Sequence, residues 1–261
     1  MTASSFTPRD LTASTFVRQV EYHPELASTN DLALEILQSG AGYSAPLLVL
    51  CDQQTAGRGR NMNTWWTQPG GLTFSLVLNA EDCGLSAELR PRVSLAAAVA
   101  VALTVEDCIG QPAAIKWPND VFVSQRKIAG ILTETAAGNP DVLVVGIGLN
   151  VNNTFHAAPV DVTGHAISLF EITTESFALQ AVLVSLLRFF ETALEQLAGD
   201  PPMLAAAWQS RDFLQHKTVT VDSGPQAVSG LCAGIDIDGG LKLQVNGTER
   251  KVYGGRVQAY R

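Results

Sequence analysis

The feature that most constrains this chain is the junction at Gln54. The apolar run Leu47-Leu48-Val49-Leu50 reads as a buried strand, and it leads into Gln54-Thr55-Ala56-Gly57-Arg58-Gly59-Arg60, with Trp65 and Trp66 closing the stretch. Glycine lets a backbone turn sharply and approach a ligand closely. Arginine offers a fixed fork of donors that matches carboxylate or phosphate oxygens two at a time. A Gly-Arg-Gly-Arg loop after a buried strand therefore points to a site for an anionic, phosphorylated ligand. For these few residues alone, a solvated basic turn is the other reading.

The chain has 261 residues, room for one large domain or one domain with a small companion. A hydrophobic share of 46% and a charged share of 16% suit a soluble protein with a substantial core. The net charge of -8 argues against a general nucleic-acid binder. Cys51, Cys83, Cys108 and Cys232 stand far apart without a CxxC pair, which suggests a reducing, cytoplasmic setting and neither zinc nor a disulfide framework. The N-terminus lacks the apolar core of a signal peptide. Leu95 to Val105, the longest apolar stretch, is well short of the roughly 18 residues of a membrane span.

Residues 1–15 are rich in Ser and Thr and are expected to be disordered. A catalytic domain is expected over 16–214. Phe16–Tyr22 reads as a strand. Ser28 with Asp31 three residues on is an N-cap pattern before Leu32, Leu34, Ile36 and Leu37. Leu72–Leu78 alternates as a strand, and Leu85–Ile109 reads as an Ala-rich helix with Pro91 near its start. Ala113–Trp117, Val121–Val123, Lys127–Glu134 and Val142–Ile147 read as short strands joined by tight turns, predicting a mixed or antiparallel sheet with helices on one face. Glu175–Ala198 and Pro201–Leu214 read as helices. From about His216 short alternating runs are separated by Ser-Gly-Pro, Asp-Gly-Gly and Asn-Gly turns, predicting a small β-barrel of five or so strands over 215–261 that packs on the larger domain.

No GxxxxGK[ST] loop occurs, neither Gly57-x-Gly59 nor Gly146-x-Gly148 completes a dinucleotide fingerprint, and no hydrolytic carboxylate dyad stands out. The chain instead offers cations at glycines and turns: Arg58, Arg60, Lys116 and Lys127. Such a set suits a transition state that gains negative charge on phosphate, as when ATP activates a carboxylic acid to an acyl-adenylate by positioning and electrostatics.

Ser28-Thr29-Asn30, Gln54 to Arg60, Trp65, Lys116-Trp117-Pro118-Asn119-Asp120, Arg126 to Leu132 and Gly146-Ile147-Gly148-Leu149-Asn150 occur in one order in which, jointly, they resemble the biotin protein ligases, from about residue 16 to the end. The resemblance implies an α+β fold: a mixed sheet with helices like that of class II aminoacyl-tRNA synthetases, plus a C-terminal SH3-like barrel. It implies that biotin and Mg-ATP give biotinyl-5′-AMP, and that a lysine of a biotin carboxyl carrier protein then displaces AMP. By position, Ser28, Thr29, Asn30 and Gln54 would hold the biotin head group, alongside Gly59. Arg58 and Arg60 would take biotin's carboxylate and the adenylate phosphate, and Lys127 would bridge carboxylate and α-phosphate. Lys116 would face the triphosphate, Asn119 and Asn150 the nucleotide or Mg2+, and Trp65 the adenylate. Asp120 would orient or deprotonate the incoming lysine. The metal is expected to come with ATP and not to be held by protein alone.

Two departures shape the expectation. Members often continue the loop with Arg-Gly-Arg, whereas Asn61-Met62-Asn63 is neutral, so closure is expected to lean on Trp65 and Trp66. Only 27 residues precede Ser28, too few for the winged helix of members that double as repressors, so no DNA partner is expected. A lipoate or octanoate ligase of the same fold, and a biotin-responsive regulator without catalysis, are the alternatives. Sequence does not separate monomer from homodimer.

Overall fold

The computed structural model describes residues 6–40, 42–60, 63–222 and 227–261. Asn61 and Met62 of the neutral loop segment, and the Ser-Gly-Pro turn at 223–225, lie outside the described residues. The chain begins with helix α1 (Pro8–Ser14), strand β1 (Gln19–Leu26), helix α2 (Thr29–Gln38) and strands β2 (Leu47–Gln54) and β3 (Leu72–Asn79). Helix α3 (Val93–Ile109) is followed by β4 (Ala114–Lys116), β5 (Asp120–Val123), β6 (Arg126–Ala136) and β7 (Asn139–Leu149). Then come α4 (Leu169–Thr173), α5 (Leu179–Gly199), α6 (Pro201–Gln209) and strands β8 (Thr218–Asp222), β9 (Ala227–Ile235), β10 (Leu241–Val245), β11 (Thr248–Val252) and β12 (Arg256–Tyr260).

Strands β1 to β7 form one mixed sheet in the order β1-β2-β3-β7-β6-β5-β4. Only β1 and β2 run parallel. Two positive-φ residues, Ser124 and Gln125, turn β5 tightly into β6.

Helices cover both faces of this sheet, not one. Alternate residues of a strand point to opposite sides. Leu47 and Val49 meet α2 at Ala33, together with Val77, Val142 and Val144. Leu48 and Leu50 face the other way, into the core built around α3. Leu47 to Leu50 of β2 are apolar on both sides, so a helix layer on one side only would have left one set in water. Helix α3 is buried almost all round, including Ala96, Ala97, Ala98, Val101 and Val105, because α5 and α6 pack on its outer side. Its small side chains allow that close double packing.

Residues 6–15 are ordered, contrary to expectation. Leu11 is fully buried, Phe6 sits against Tyr22 with ring centroids 6.0 Å apart, and Arg188 Nε of α5 donates to Ser14 O at 3.3 Å. Pro8 opens the helix, where a missing N–H costs nothing. Leu11 and Phe6 carry the docking.

The last strands form an antiparallel sheet in the order β11-β10-β9-β8-β12. Its edges, β11 and β12, do not pair with each other, so the sheet is open where a closed barrel was expected. Val219, Val221, Ile235, Leu241 and Leu243 join the main core. Trp117 Nε1 donates to Gly239 O at 3.1 Å, and Arg92 pairs with Asp238 at 3.1 Å. Phe122 stacks on Phe213, centroids 5.1 Å apart, and Phe213 meets Tyr260 edge-on at 5.3 Å. Among the described residues no helix is long and apolar enough to cross a membrane.

Leu11→Ala tests the packing of α1. Removing a fully buried leucine is expected to cost about 2–5 kcal/mol, seen as a lower urea midpoint. A frayed N-terminus would give no change.

Candidate functional site

The site is laid out on the facing strands β6 and β7. Gly130 stands opposite Gly148, and Leu132 opposite Gly146. These three glycines fall on one side of the two strands and leave a shallow floor. A β-carbon at Gly148 would collide with the Trp65 indole, and one at Gly146 with the Asn30 side-chain amide. The glycines thus act through clearance. Gly146-x-Gly148, unremarkable as a phosphate-binding pattern, makes room for two of the side chains singled out by sequence.

A cleft lies over this floor. Ser28, Thr29, Asn30, Gln54, Arg58, Gly59, Arg60, Trp65, Asn119, Asp120 and Lys127 all line it. At one end the polar groups are buried and linked. Ser28 Oγ accepts the backbone N–H of Asp31 at 3.4 Å, so it caps α2 as its spacing indicated. Gln54 Oε1 accepts from Thr29 N at 2.7 Å, and Ser75 Oγ lies 2.7 Å from Thr29 Oγ1 and 2.5 Å from Asn30 Oδ1. Asn30 Nδ2 donates to Glu134 Oε2 at 2.7 Å and to Leu132 O at 3.3 Å. Burying this many amide and hydroxyl groups is tolerable because they satisfy one another.

At the other end stand the cations. The loop folds back on itself: Arg58 bridges Thr64, Gly59 N donates to Asn63 O at 2.7 Å, and Trp65 N to Gly57 O at 2.8 Å. The two arginines then diverge. Arg58 makes a bidentate contact to Glu134 at 2.8 and 3.2 Å and pairs with Asp31 at 2.6 Å. The Glu134 bond and, after it, Asp31 raise its affinity for the proton above that of an ordinary arginine, outweighing burial. Arg60 has no ion pair among the described residues, and Nη1 reaches Asn119 Oδ1 at 3.5 Å. Burial lowers its pKa, only partly offset by Asp120. Asn119 Nδ2 is anchored on Ile131 O at 2.5 Å, and Lys127 Nζ pairs with Asp120 at 2.6 Å.

A second cleft, of about 850 Å³, adjoins the first. Thr64, Trp65 and Lys127 line both. Its other walls include Trp66, Phe155, Lys116, Asn150, His165 and Tyr260. Trp66 and Phe155 pack against each other, ring centroids 5.6 Å apart, and form one aromatic wall. Lys116 Nζ rests over the rings of Tyr260 at 4.5 Å and Phe122 at 5.4 Å. Its pKa is lowered, first by burial, with Lys127, Lys217 and Arg256 adding repulsion and Asp120 opposing. Asn150 is buried, and its Oδ1 accepts from Asn153 Nδ2 at 3.2 Å.

Sequence reasoning passed over Ser75, Glu134, Phe155 and Tyr260. Ser75 and Glu134 sit inside strands, and their shared partner Asn30 lies 45 and 104 residues away in sequence. A serine in the apolar run Leu72–Leu78 was the available signal for the first. The thiols of Cys51 and Cys232 are pushed up to about 12 and about 11, chiefly by burial, which keeps them protonated. The described residues gather no group of three or more His, Cys, Asp or Glu side chains that could hold a metal.

Residues 23–152 match the family model described as Biotin/lipoate A/B protein ligase family. The chain is 34% identical to the Biotin--[acetyl-CoA-carboxylase] ligase of Mycobacterium tuberculosis, covering 92% of this chain and 88% of that protein. It is 32% identical to the Bifunctional ligase/repressor BirA of Bacillus subtilis, over 91% of this chain and 73% of the relative. Among solved structures, the biotin protein ligase from Aquifex aeolicus in complex with biotin and ATP superposes with a TM-score of 0.79 at 26% identity, covering 94% of this chain and 99% of that one.

Gly148→Ala is expected to push the Trp65 indole off the floor. Tryptophan emission should shift in the otherwise native protein and not in a Trp65→Phe background. Unchanged emission would mean that the indole does not depend on that clearance.

Proposed function

This chain belongs to the biotin/lipoate A/B protein ligase family, and we propose that it is its biotin-specific kind of ligase, activating biotin with ATP and passing it to a lysine of the biotin carrier domain of acetyl-CoA carboxylase. The observation that carries this reading is the position of Lys127. It lines both clefts, at the junction between a buried polar pocket and an aromatic, cationic one. An acid in the first and a nucleotide in the second would meet beside its ammonium group.

The roles follow from the surroundings. Biotin's ureido head offers both donors and an acceptor, which suits the pocket of Ser28, Thr29, Asn30 and Gln54. Biotin's carboxylate lies toward Lys127 and Arg60 and attacks the α-phosphate in line, while pyrophosphate leaves. Lys127 and Arg60 stabilise the charge that grows on the phosphate oxygens, and their partial desolvation strengthens that effect. Lys116 faces the leaving phosphates. Trp65 and Trp66 cover the nucleotide, with Phe155 packed against Trp66. Asn119 and Asn150 supply amide oxygens on the nucleotide side. With no cage of carboxylates among the described residues, Mg2+ is assigned to the nucleotide's own phosphates. In the second half-reaction the carrier lysine must be neutral to attack, and Asp120 is the carboxylate best placed to orient it or take its proton, once Lys127 has turned to phosphate. The C-terminal strands are read as an SH3-like module opened at the β11 and β12 edges. Membership alone leaves lipoate as a competitor substrate, and the Mycobacterium tuberculosis relative and the Aquifex aeolicus structure are named for biotin.

Incubation with biotin, Mg-ATP and a carrier domain should add one biotinyl group to one lysine, read by mass spectrometry. Exchange of labelled pyrophosphate into ATP should depend on biotin and not on lipoate. The reverse preference would overturn the assignment.

Lys127→Ala should lower the single-turnover rate of adenylate formation by about 10²–10³ at saturating biotin, with a much smaller loss of biotin affinity. A collapse of affinity with a normal rate would remove Lys127 from the reacting centre.

A further inference from the structure

We propose that Glu134 is a positioning residue that links the arginine loop to the head-group pocket, so that one carboxylate sets both biotin recognition and retention of the adenylate. The inference rests on the biotin-activating role proposed above.

Glu134 sits on β6, paired with Val144, and its carboxylate is only partly exposed. Oε2 accepts from Arg58 Nη2 at 2.8 Å and from Asn30 Nδ2 at 2.7 Å, and Oε1 accepts from Arg58 Nη1 at 3.2 Å. Two parts of the cleft that are far apart in sequence therefore share one group.

Toward the pocket, Glu134 fixes the direction of a hydrogen-bond chain. A carboxylate only accepts, so Asn30 must turn its amino end to it. The amide oxygen then faces Ser75, at 2.5 Å. An amide oxygen cannot donate, so the single Ser75 proton goes there. Ser75 Oγ, 2.7 Å from Thr29 Oγ1, can then only accept from it, as Gln54 Oε1 does at 3.1 Å, so the single Thr29 proton is taken by one of these two neighbours. Thr29 is left with its lone pairs for a ligand N–H. Polarity imposed at Glu134 is thus passed through Asn30 and Ser75 to a residue on the cleft wall.

Toward the loop, Glu134 holds Arg58 away from ligand. Arg58 together with Glu134 and Asp31 carries a net negative charge, so this cluster is a poor anion site. Arg60, without an ion pair among the described residues, is left for the phosphate. Arg58 instead pins the base of the loop to β6 and α2, and the loop covers the cleft through Trp65. The two arginines divide the work between anchoring and binding.

The test uses the full-length protein with biotin and Mg-ATP. Glu134→Gln keeps the size and removes the carboxylate. It should raise the KM for biotin and speed dissociation of preformed biotinyl-5′-AMP, each on the order of tenfold for a partly exposed charged contact. Arg58→Ala should speed dissociation to a similar degree. In the Glu134→Gln/Arg58→Ala double variant the dissociation rate should not rise further, because one link has been cut twice, whereas the biotin effect should persist, because it runs through Asn30. Arg58→Lys, which keeps the charge and loses the fork, should behave like Arg58→Ala. Dissociation effects that multiply in the double variant, or a Glu134→Gln protein within twofold of the parent in both measurements, would overturn the proposal. A parent protein that makes no biotinyl-5′-AMP would overturn the proposed function instead.

Discussion

The absence of side chains at Gly130, Gly146 and Gly148 is the constraint on which the rest of the site depends. Strands β6 and β7 are paired along nearly their whole length. On one face they pack against the apolar core through residues such as Ile128 and Val145. On the other, the glycines let an indole and an amide lie almost on the backbone. Without that clearance Trp65 would stand off the sheet and the two clefts would not share a wall. The rigidity of the pairing fixes the floor, and the side chains that rest on it inherit its precision.

Upon that floor the electrostatics are graded. Carboxylates gather at the Arg58 end, while burial leaves Arg60 and Lys116 charged in surroundings that disfavour charge. A bound anion relieves that situation at Arg60 and Lys116 but has little to offer Arg58. Two arginines separated by a single glycine thus face opposite environments, Arg58 toward Glu134 and Asp31 and Arg60 toward Asn119. Lys127, paired with Asp120, lies between the two regimes.

The loop, the Ser-Thr-Asn cap and the lysine at a strand end were legible because each joins a chemically capable side chain to a local break in periodicity. The structure brings them together along the two clefts. Lys116 and Asn150 belong to the second cleft, a distinction that no local pattern carries. Ser75 and Glu134 were illegible for the same reason: their chemistry is made by partners on other elements. Helices on both sheet faces could be inferred only by noticing that Leu47 to Leu50 of β2 are apolar on both sides. For residues 6–15, polar composition concealed the leucine and the phenylalanine that dock the segment. The open order of the last five strands is a matter of which edges meet, and turn spacing does not determine it.

The resting place of Lys116 has a further consequence. Its ammonium lies over Tyr260 and Phe122 in a half-buried position on the cleft wall, and Tyr260 belongs to the C-terminal sheet. Part of its hydration is therefore lost when the chain folds, and the aromatic faces give back some of what hydration supplied. The folded protein carries the remaining deficit as reduced stability with no substrate present. In exchange, a phosphate arriving at Lys116 meets a charge that is already partly dehydrated, and each catalytic cycle is spared that share of the work. The C-terminal strands thus act on the chemistry without reaching into it: they set the hydration of a single ammonium group, and with it the division of free energy between a durable fold and a ready site.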